Sequence, residues 1–434
     1  MHVEVIPTEE LGDRSYVAHD GSTAVVVDPQ RDLDRVEDLL AAKGLTVALV
    51  LETHIHNDYV TGGYALARRT GARYAVNAED DVAFDRLGVR DGDELGAGTM
   101  TVRVLSTPGH TDTHLSFVVS DVEGGAPVAF TGGSLLYGSV GRTDLVEAAR
   151  TDELTRAQYR SARRLADDLP DETALYPTHG FGSFCSSGET AGGDDATIGT
   201  ERARNDALTE PDEDSFVARL VAGLTAFPAY YAHMAPLNRQ GPDVPDLSPV
   251  AVVDGDTLRE RLAAGECVVD LRDRTAYAAQ HVSGTVSIAL GQQFATYLGW
   301  LVPWGTPVTL LGDSEQQVAD AQRQLVRIGI ERPTGAAVGS PADLVAADHL
   351  RRYDTATFAD LPERANGCVP GSVHIPLDDL LTRMDDVLDG PLWVHCASGY
   401  RASIAASLLD GAGRDVVLVD DDYSTAVESG LATG

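Results

Sequence analysis

The sequence contains a single lysine, Lys43, so nearly all of its 33 basic residues are arginines; against 67 acidic residues they leave a formal charge of −34. An excess of negative charge on that scale repels phosphate backbones and anionic lipid headgroups, so neither nucleic acid nor a membrane is an expected partner. A dense carboxylate surface also suits a salty cytoplasm, where electrostatic screening lengths are short. Cysteine is scarce too. Cys185, Cys267, Cys368 and Cys396 are too few and too scattered for a disulfide framework, which frees the thiols for packing or chemistry. No apolar run approaches the roughly 18 residues of a membrane span. The start, MHVEVIPTEELGDRSY, has neither the basic stretch nor the apolar segment of an export signal, so the cytoplasm is the expected location.

The chain has 434 residues, of which 43% are hydrophobic and 23% charged. That is globular composition and too long for one ordinary core. Its first part alternates short apolar runs, turn signals and helical patterns: STAVVVDP, DLDRVEDLLAAKG and LTVALVLETHIHND, then the β-rich MTVRVLSTPGHT, HLSFVVS and PVAFTGG. Many strands with interspersed helices predict an α/β sandwich of two sheets with helices outside. Residues 151–169 read as an amphipathic helix, and ALYPTHGFG as a strand ending in a polar loop. Residues 186–249 lose periodicity and are rich in Gly, Asp, Glu and Pro, which reads as a connector with one helix, DSFVARLVAGL, in its middle.

Two later segments repeat one plan. HVSGTVSI, followed by PVTLLGDSEQQVADAQRQL, aligns with CVPGSVHI, followed by PLWVHCASGYRASIAASLL. Each has a turn and strand, then a buried strand, a six-residue loop and an amphipathic helix, the mark of a duplicated βα module. The expected domains are therefore 1–249, 250–345 and 346–434.

In the second repeat the apolar strand ends at His395-Cys396, and the loop Cys396-Ala397-Ser398-Gly399-Tyr400-Arg401 runs into a helix. A thiol at a helix N-terminus, ringed by backbone N–H groups and followed by an arginine, can carry a stabilised negative charge. This segment, over about 340–434, resembles the rhodanese family, whose active loop has a cysteine, four residues and an arginine before a helix. The resemblance implies that Cys396 carries a sulfane sulfur as a persulfide, while Arg401 and the amides of Ala397, Ser398, Gly399 and Tyr400 cradle the anionic substrate. The first repeat has Gly312 and Gln317 at the cysteine and arginine positions and adds Asp313 and Glu315, so it resembles an inactive copy. Its own Cys267, in ECVVDL, is expected to be buried.

In the first part, HxHxD after an apolar strand projects His54, His56 and Asp58 from one loop; Pro-Gly-His110 and Thr-His179-Gly follow two other strands. Imidazoles and a carboxylate at converging strand ends can hold a metal. The pattern resembles the metallo-β-lactamase fold, and within it the branch of persulfide dioxygenases and hydroxyacylglutathione hydrolases. The implied architecture is an αββα metallo-β-lactamase sandwich followed by two rhodanese-like α/β domains. Thr-Gly-Gly after HxHxD, Gly-Arg142-Thr-Asp144 and the fusion to rhodanese-like segments favour the dioxygenase side, with Arg142 expected at the substrate.

In that branch the resemblance implies one Fe(II) per chain, with zinc the alternative, held by the first His of HxH, the His after Pro-Gly and an Asp after Thr-Gly. Here these positions are His54, His110 and Gly133, and the extra His of two-metal hydrolases is Tyr59. His56, Asp58 and His179 complete the candidate ligand set, and Gly133→Asp is expected to tighten metal binding or change its stoichiometry. Cys185 is expected either to relay persulfide or to pack. The implied partners are a small thiol persulfide, sulfite and thiosulfate, and a homo-oligomer is expected. Thioester hydrolysis and a metal-free scaffold are the rival readings.

Overall fold

The computed structural model describes all 434 residues except 189–192, 194, 292, 361–371, 429 and 431–434. The chain divides into two compact units, Met1–Pro245 with Val326–Gly329, and Asp246–Leu325 with Ile330–Gly434. Among the described residues no helix is long and apolar enough to cross a membrane.

The first unit holds two sheets. Strands β1 (His2–Thr8), β2 (Asp13–His19), β3 (Thr23–Val27), β4 (Thr46–Leu51), β5 (Arg73–Asn77) and β6 (Leu87–Val89) lie side by side in chain order. Strands β7 (Glu94–Ala97), β8 (Met100–Ser106), β9 (Leu115–Asp121), β10 (Val128–Gly132) and β11 (Ala174–Pro177) form the second sheet in the order β11-β10-β9-β8-β7. Alternation along each strand decides which layer a side chain joins. Val25 and Val27 of β3 and Leu49 and Leu51 of β4 share an inter-sheet core with Val102, Val104, Phe117 and Phe130. The intervening Ala24, Val26 and Val50 face Val36, Leu40 and Leu66 of the helices Asp34–Lys43 and Gly63–Thr70. Across the second sheet, Leu105, Val118, Ala129 and Leu175 pack under Tyr159, Ala162 and Leu165 of the helix Thr151–Asp168. The result is the expected αββα layering, with strands buried on both faces and therefore apolar almost throughout.

The stretch 186–249 is more than a connector. It forms helices Ile198–Arg204, Asp206–Thr209, Glu213–Gly223 and Tyr231–Gln240, and Phe216, Val217 and Leu220 bury in the cluster beneath Thr151–Asp168. Glu213–Gly223 is the helix that DSFVARLVAGL predicts, whereas the other three are too short for an apolar period to repeat, which hides them from pattern reading.

The second unit contains β12 (Cys267–Asp270), β13 (His281–Val282), β14 (Val286–Ser287), β15 (Val308–Gly312), β16 (Gly335–Val338), β17 (Leu350–Arg351), β18 (Asp354–Ala356), β19 (Leu392–Val394) and β20 (Val416–Val419). A parallel sheet β14-β12-β15-β16 belongs to the first repeat and a parallel sheet β18-β20-β19 to the second. Both repeats fall within one compact unit, and Tyr277 and Ala278 of the first bury beside Ala402, Ala406 and Leu409 of the second. Residues 368–371, which begin the repeated turn in the second copy, lie outside the described residues.

Candidate metal centre and Cys396 loop

Strands β4, β8 and β11 all end at the same edge of the sandwich, and the loops leaving them carry His54, His110 and His179. Ring centroids are 4.8 Å apart for His54 and His110, 5.3 Å for His54 and His179, and 5.2 Å for His110 and His179. One nitrogen from each of the three lies within 4.8 Å of the others, and His56, Asp58 and His179 form a second, overlapping group of the same compactness. All five side chains are buried.

Each of the three imidazoles is anchored through Nδ1, which turns Nε2 inward. His110 Nδ1 donates to the carbonyl of Arg142 at 2.7 Å, and its buried Nε2 has no partner. His179 Nδ1 lies 2.9 Å from Asp13 Oδ1. His54 Nδ1 lies 2.9 Å from the Thr53 hydroxyl, which gives its own proton to Asp28 Oδ2 at 2.7 Å. Anchoring one ring nitrogen so that the other presents a lone pair is how metal-binding histidines are oriented. Burial, and then the surrounding histidines, hold His54 well below the usual imidazole range; burial followed by His179 takes His110 down to about 3. Burial also lowers His179, but the carboxylates of Asp58 and Asp13 outweigh it and push the group up to about 10. The extra proton fits the 3.4 Å contact between His179 Nε2 and His54 Nε2, where an entering cation would displace it. The donor set therefore fits a metal: three nitrogens converge, while Asp58, 3.3 Å from His179 Nδ1, joins Asp13 on the anchoring side of that ring.

Several residues that build this site escape sequence reading. Asp28, at the end of β3, takes a positive φ of 49° although it is not glycine. Its buried carboxylate accepts from Thr53 N at 2.7 Å and from the Thr53 and Thr178 hydroxyls at 2.7 and 2.5 Å, tying together the loops of His54 and His179. Its signal was the polar Asp closing the apolar run VVV at the strand edge that carries the histidines. His114, fully buried, is not a free ligand: Nδ1 meets Thr107 Oγ1 at 3.0 Å, and Nε2 accepts from Gly133 N at 2.9 Å.

Gly133 explains why the expected carboxylate is missing. A Cβ built there would lie 2.3 Å from His110 Cδ2 and 2.6 Å from Cγ, so the imidazole ring fills the space an aspartate would need. The expectation that Gly133→Asp tightens the metal is therefore reversed. We expect the variant to lose about 1–3 kcal/mol of stability by overpacking and to retain less metal after dialysis. Thermal unfolding and metal analysis check this; wild-type melting with tighter retention would show that the ring yields freely.

The remaining expected residues divide. His56 Nε2 contacts the Tyr59 hydroxyl at 2.9 Å and lies 3.3 Å from Glu52 Oε2 and 3.4 Å from Asp28 Oδ1. Burial lowers it, but Asp28 and Glu52 raise it to about 9. Tyr59, at the hydrolase histidine position, thus occupies His56 rather than facing the centre. Arg142 is not open to substrate: it pairs with Asp144 at 2.7 and 2.8 Å and donates to the carbonyls of Phe184 and Thr225 at 3.0 and 2.6 Å. What Arg142 offers the site is its own carbonyl, on His110. Cys185 is fully buried, with Sγ 3.8 Å from the Tyr231 hydroxyl, and burial pushes its thiol well above the usual range. It is a protonated, packed thiol.

In the second unit, β19 ends one residue before His395, and the helix Tyr400–Gly411 starts four residues after Cys396. Gly399, its N-cap, has φ 82°, the left-handed conformation that turns the loop into the helix. The amide of Ala402 donates to Cys396 Sγ at 3.4 Å. The amides of Ala397, Ser398, Gly399, Tyr400 and Arg401 make no hydrogen bond to another described residue, and the exposed Arg401 forms no ion pair with one. The corresponding loop of the first repeat is closed on itself. Gln317 Oε1 accepts from Asp313 N at 2.7 Å, and Gln317 N donates to the Ser314 hydroxyl at 3.2 Å. Gln317 Nε2 also donates to the carbonyl of Leu271 at 3.0 Å, so the side chain is spent within its own repeat. Cys267 is half-buried on β12, and burial lifts its thiol to about 11.

Comparison with known proteins agrees with the front unit. Residues 11–179 match the metallo-beta-lactamase superfamily. Human mitochondrial persulfide dioxygenase ETHE1 is 29% identical over 200 residues, covering 46% of this chain and 70% of that protein. A hydroxyacylglutathione hydrolase of Cereibacter sphaeroides is 31% identical over 226 residues, covering 51% of this chain and 76% of the relative. The solved metallo-beta-lactamase of Staphylococcus aureus is 26% identical with a TM-score of 0.69, covering 78% of this chain and 99% of that one. With an αββα sandwich, a histidine centre at its strand ends and these relatives, the chain belongs to the metallo-beta-lactamase superfamily.

Proposed function

We propose that the front unit oxidises a small thiol persulfide with dioxygen and that the second unit moves sulfane sulfur through Cys396. The observation that carries the first half is the converged set of His54, His110 and His179, with no carboxylate at Gly133 and with His56 engaged by Tyr59. One ion has a full set of ligands, and a second would lack two of the usual ones. Ferrous iron, when bound, supplies activation of dioxygen beside the persulfide sulfur. In the overall reaction the persulfide, dioxygen and water give the thiol, sulfite and two protons; four electrons pass from sulfur to dioxygen. The chain's own residues hold the three imidazoles in place through Asp13, Thr53, Asp28 and the Arg142 carbonyl, and their burial keeps bulk water out. Asp58, 3.3 Å from His179 Nδ1 and, against the effect of burial, held below the usual carboxylate range by that imidazolium, helps fix the His179 ring.

At the second centre, the terminal sulfur of a Cys396 persulfide bonds to sulfite. The sulfur–sulfur bond to Cys396 breaks, and its electron pair stays on the Cys396 sulfur. Thiosulfate leaves. The resemblance of this loop to rhodanese and its free amides support that reading; the first repeat, with its loop closed by Gln317, is then an inactive copy.

A second reading, thioester hydrolysis with two metals, is favoured by the His56, Asp58 and His179 group and by the hydrolase relative. Metal analysis of anaerobically purified protein separates the two. One iron per chain is expected; two zinc ions would favour the hydrolase, and no metal would favour a scaffold.

A further inference from the structure

The loop of Cys396 is not walled by its own repeat alone. Tyr400, the first residue of the helix behind it, donates its hydroxyl to the carbonyl of Ala289 at 2.8 Å, and Ser287 N donates to Ser407 Oγ on the same helix at 3.0 Å. Arg274 pairs with Asp420 at 2.5 Å, and a Cβ on Gly399 would lie 2.3 Å from that carboxylate and 3.2 Å from the Arg274 side chain. Four residues of the first repeat, Arg274, Ser287, Ala289 and Tyr297, therefore bear on the loop or its helix. Tyr297, on the helix Phe294–Leu301, sets its ring 5.8 Å from that of Tyr400.

Tyr297 is 7% exposed, yet its hydroxyl makes no hydrogen bond to another described residue. It lies within charge–charge range of Arg401, Cys396 and Asp378. Burial raises the phenol above its usual range, Arg401 opposes this, and Cys396 and Asp378 add to it, so the group stays a proton donor. The hydroxyl keeps contact with solvent and lies within range of an arginine that pairs with no carboxylate among the described residues, in a chain where carboxylates outnumber cations twofold.

We propose that the first repeat forms one wall of the Cys396 site and that Tyr297 donates its hydroxyl to the anionic end of the sulfur donor, beside Arg401. The donor it fits is an oxyanion with a transferable sulfur, such as thiosulfate: Arg401 supplies charge, Tyr297 a neutral directional bond, and the loop amides close the cradle. In the loading direction Cys396 sulfur attacks the outer sulfur of thiosulfate, the bond between that sulfur and the sulfonate breaks, and sulfite leaves with the electron pair. This role rests on the sulfur-transfer reading of Cys396, and the test separates the two.

Alkylation of Cys396 in the full chain by iodoacetate and by iodoacetamide, followed by mass spectrometry, compares an anionic with a neutral reagent at one carbon. In Tyr297→Phe the iodoacetate rate should fall about three- to tenfold, as for the net loss of one ordinary hydrogen bond at a solvent-reached site, with the iodoacetamide rate unchanged. Tyr297→His, which restores a donor, should recover part of the loss. An unchanged ratio overturns the proposal, as does equal slowing of both reagents, which would mean that the loop has merely loosened. With thiosulfate and cyanide, the same Tyr297→Phe chain should show a raised KM for thiosulfate at unchanged kcat. Should wild-type protein show no thiosulfate turnover, the sulfur-transfer reading fails while the alkylation ratio still decides the role of Tyr297.

Discussion

Replacing Cys396 by serine is expected to lower sulfur transfer from thiosulfate by on the order of a thousandfold or more while leaving the melting temperature within a degree or two of the parent. Oxygen has the shape of the thiol but cannot carry a sulfane atom, so the covalent step is lost outright. The fold should hold, because Cys396 is only partly buried and its sulfur accepts one long contact from Ala402 N at 3.4 Å. A sulfur contact of that length contributes little, and a hydroxyl can take the same donor. Cyanide-coupled thiosulfate turnover is the direct measurement, with unfolding by circular dichroism as the control. Near-parental activity in the serine variant would remove Cys396 from the chemistry and, with it, the assignment of the loop.

The double variant His54→Ala with His110→Ala should abolish persulfide-dependent oxygen consumption and bring bound metal to background, with Cys396-dependent transfer kept within about twofold of the parent. Two of three converging nitrogens disappear, and His179, ion-paired with Asp58 and Asp13, is left as a lone imidazole unable to hold an ion by itself. Independence of the two activities is expected because the front unit has its own inter-sheet core around Phe117 and Phe130, whereas the Cys396 helix packs in a separate cluster with Tyr277 and Leu418. Oxygen-electrode traces, metal analysis and thiosulfate turnover on one preparation decide it. Loss of both activities in a folded variant would mean coupled centres; loss of neither would make the front histidines relics and favour the scaffold.

The αββα layering was legible because β3, β4 and β9 are short apolar runs and β8 alternates, each bounded by turn signals. The histidine loops were legible because each follows an apolar strand. What escaped was whatever depends on contacts distant in sequence. Asp28 ties His54 to Thr178 across 150 residues, and nothing local to VVVDP says so. Arg142 looked like a substrate group because an arginine near a site usually is one; only Asp144, Phe184 and Thr225 show that its donors are spent. Of the tail helices between 198 and 240, Glu213–Gly223 was legible in DSFVARLVAGL, and the other three were hidden because such short helices never repeat their period. The missing carboxylate at Gly133 was visible, but not its cause, since the ring that fills the gap comes from a loop 23 positions earlier.

The depth of the front centre bears on its history as well as its chemistry. His54, His110 and His179 are each at most 2% exposed, so an ion reaches them only while the surrounding loops are open, as they are during folding or in rare local openings. Exchange afterwards would be slow, and the ion present at synthesis would persist even where another binds more tightly at equilibrium. Two batches of one protein, grown with iron or with zinc, could then differ for days in composition and activity while sharing every residue.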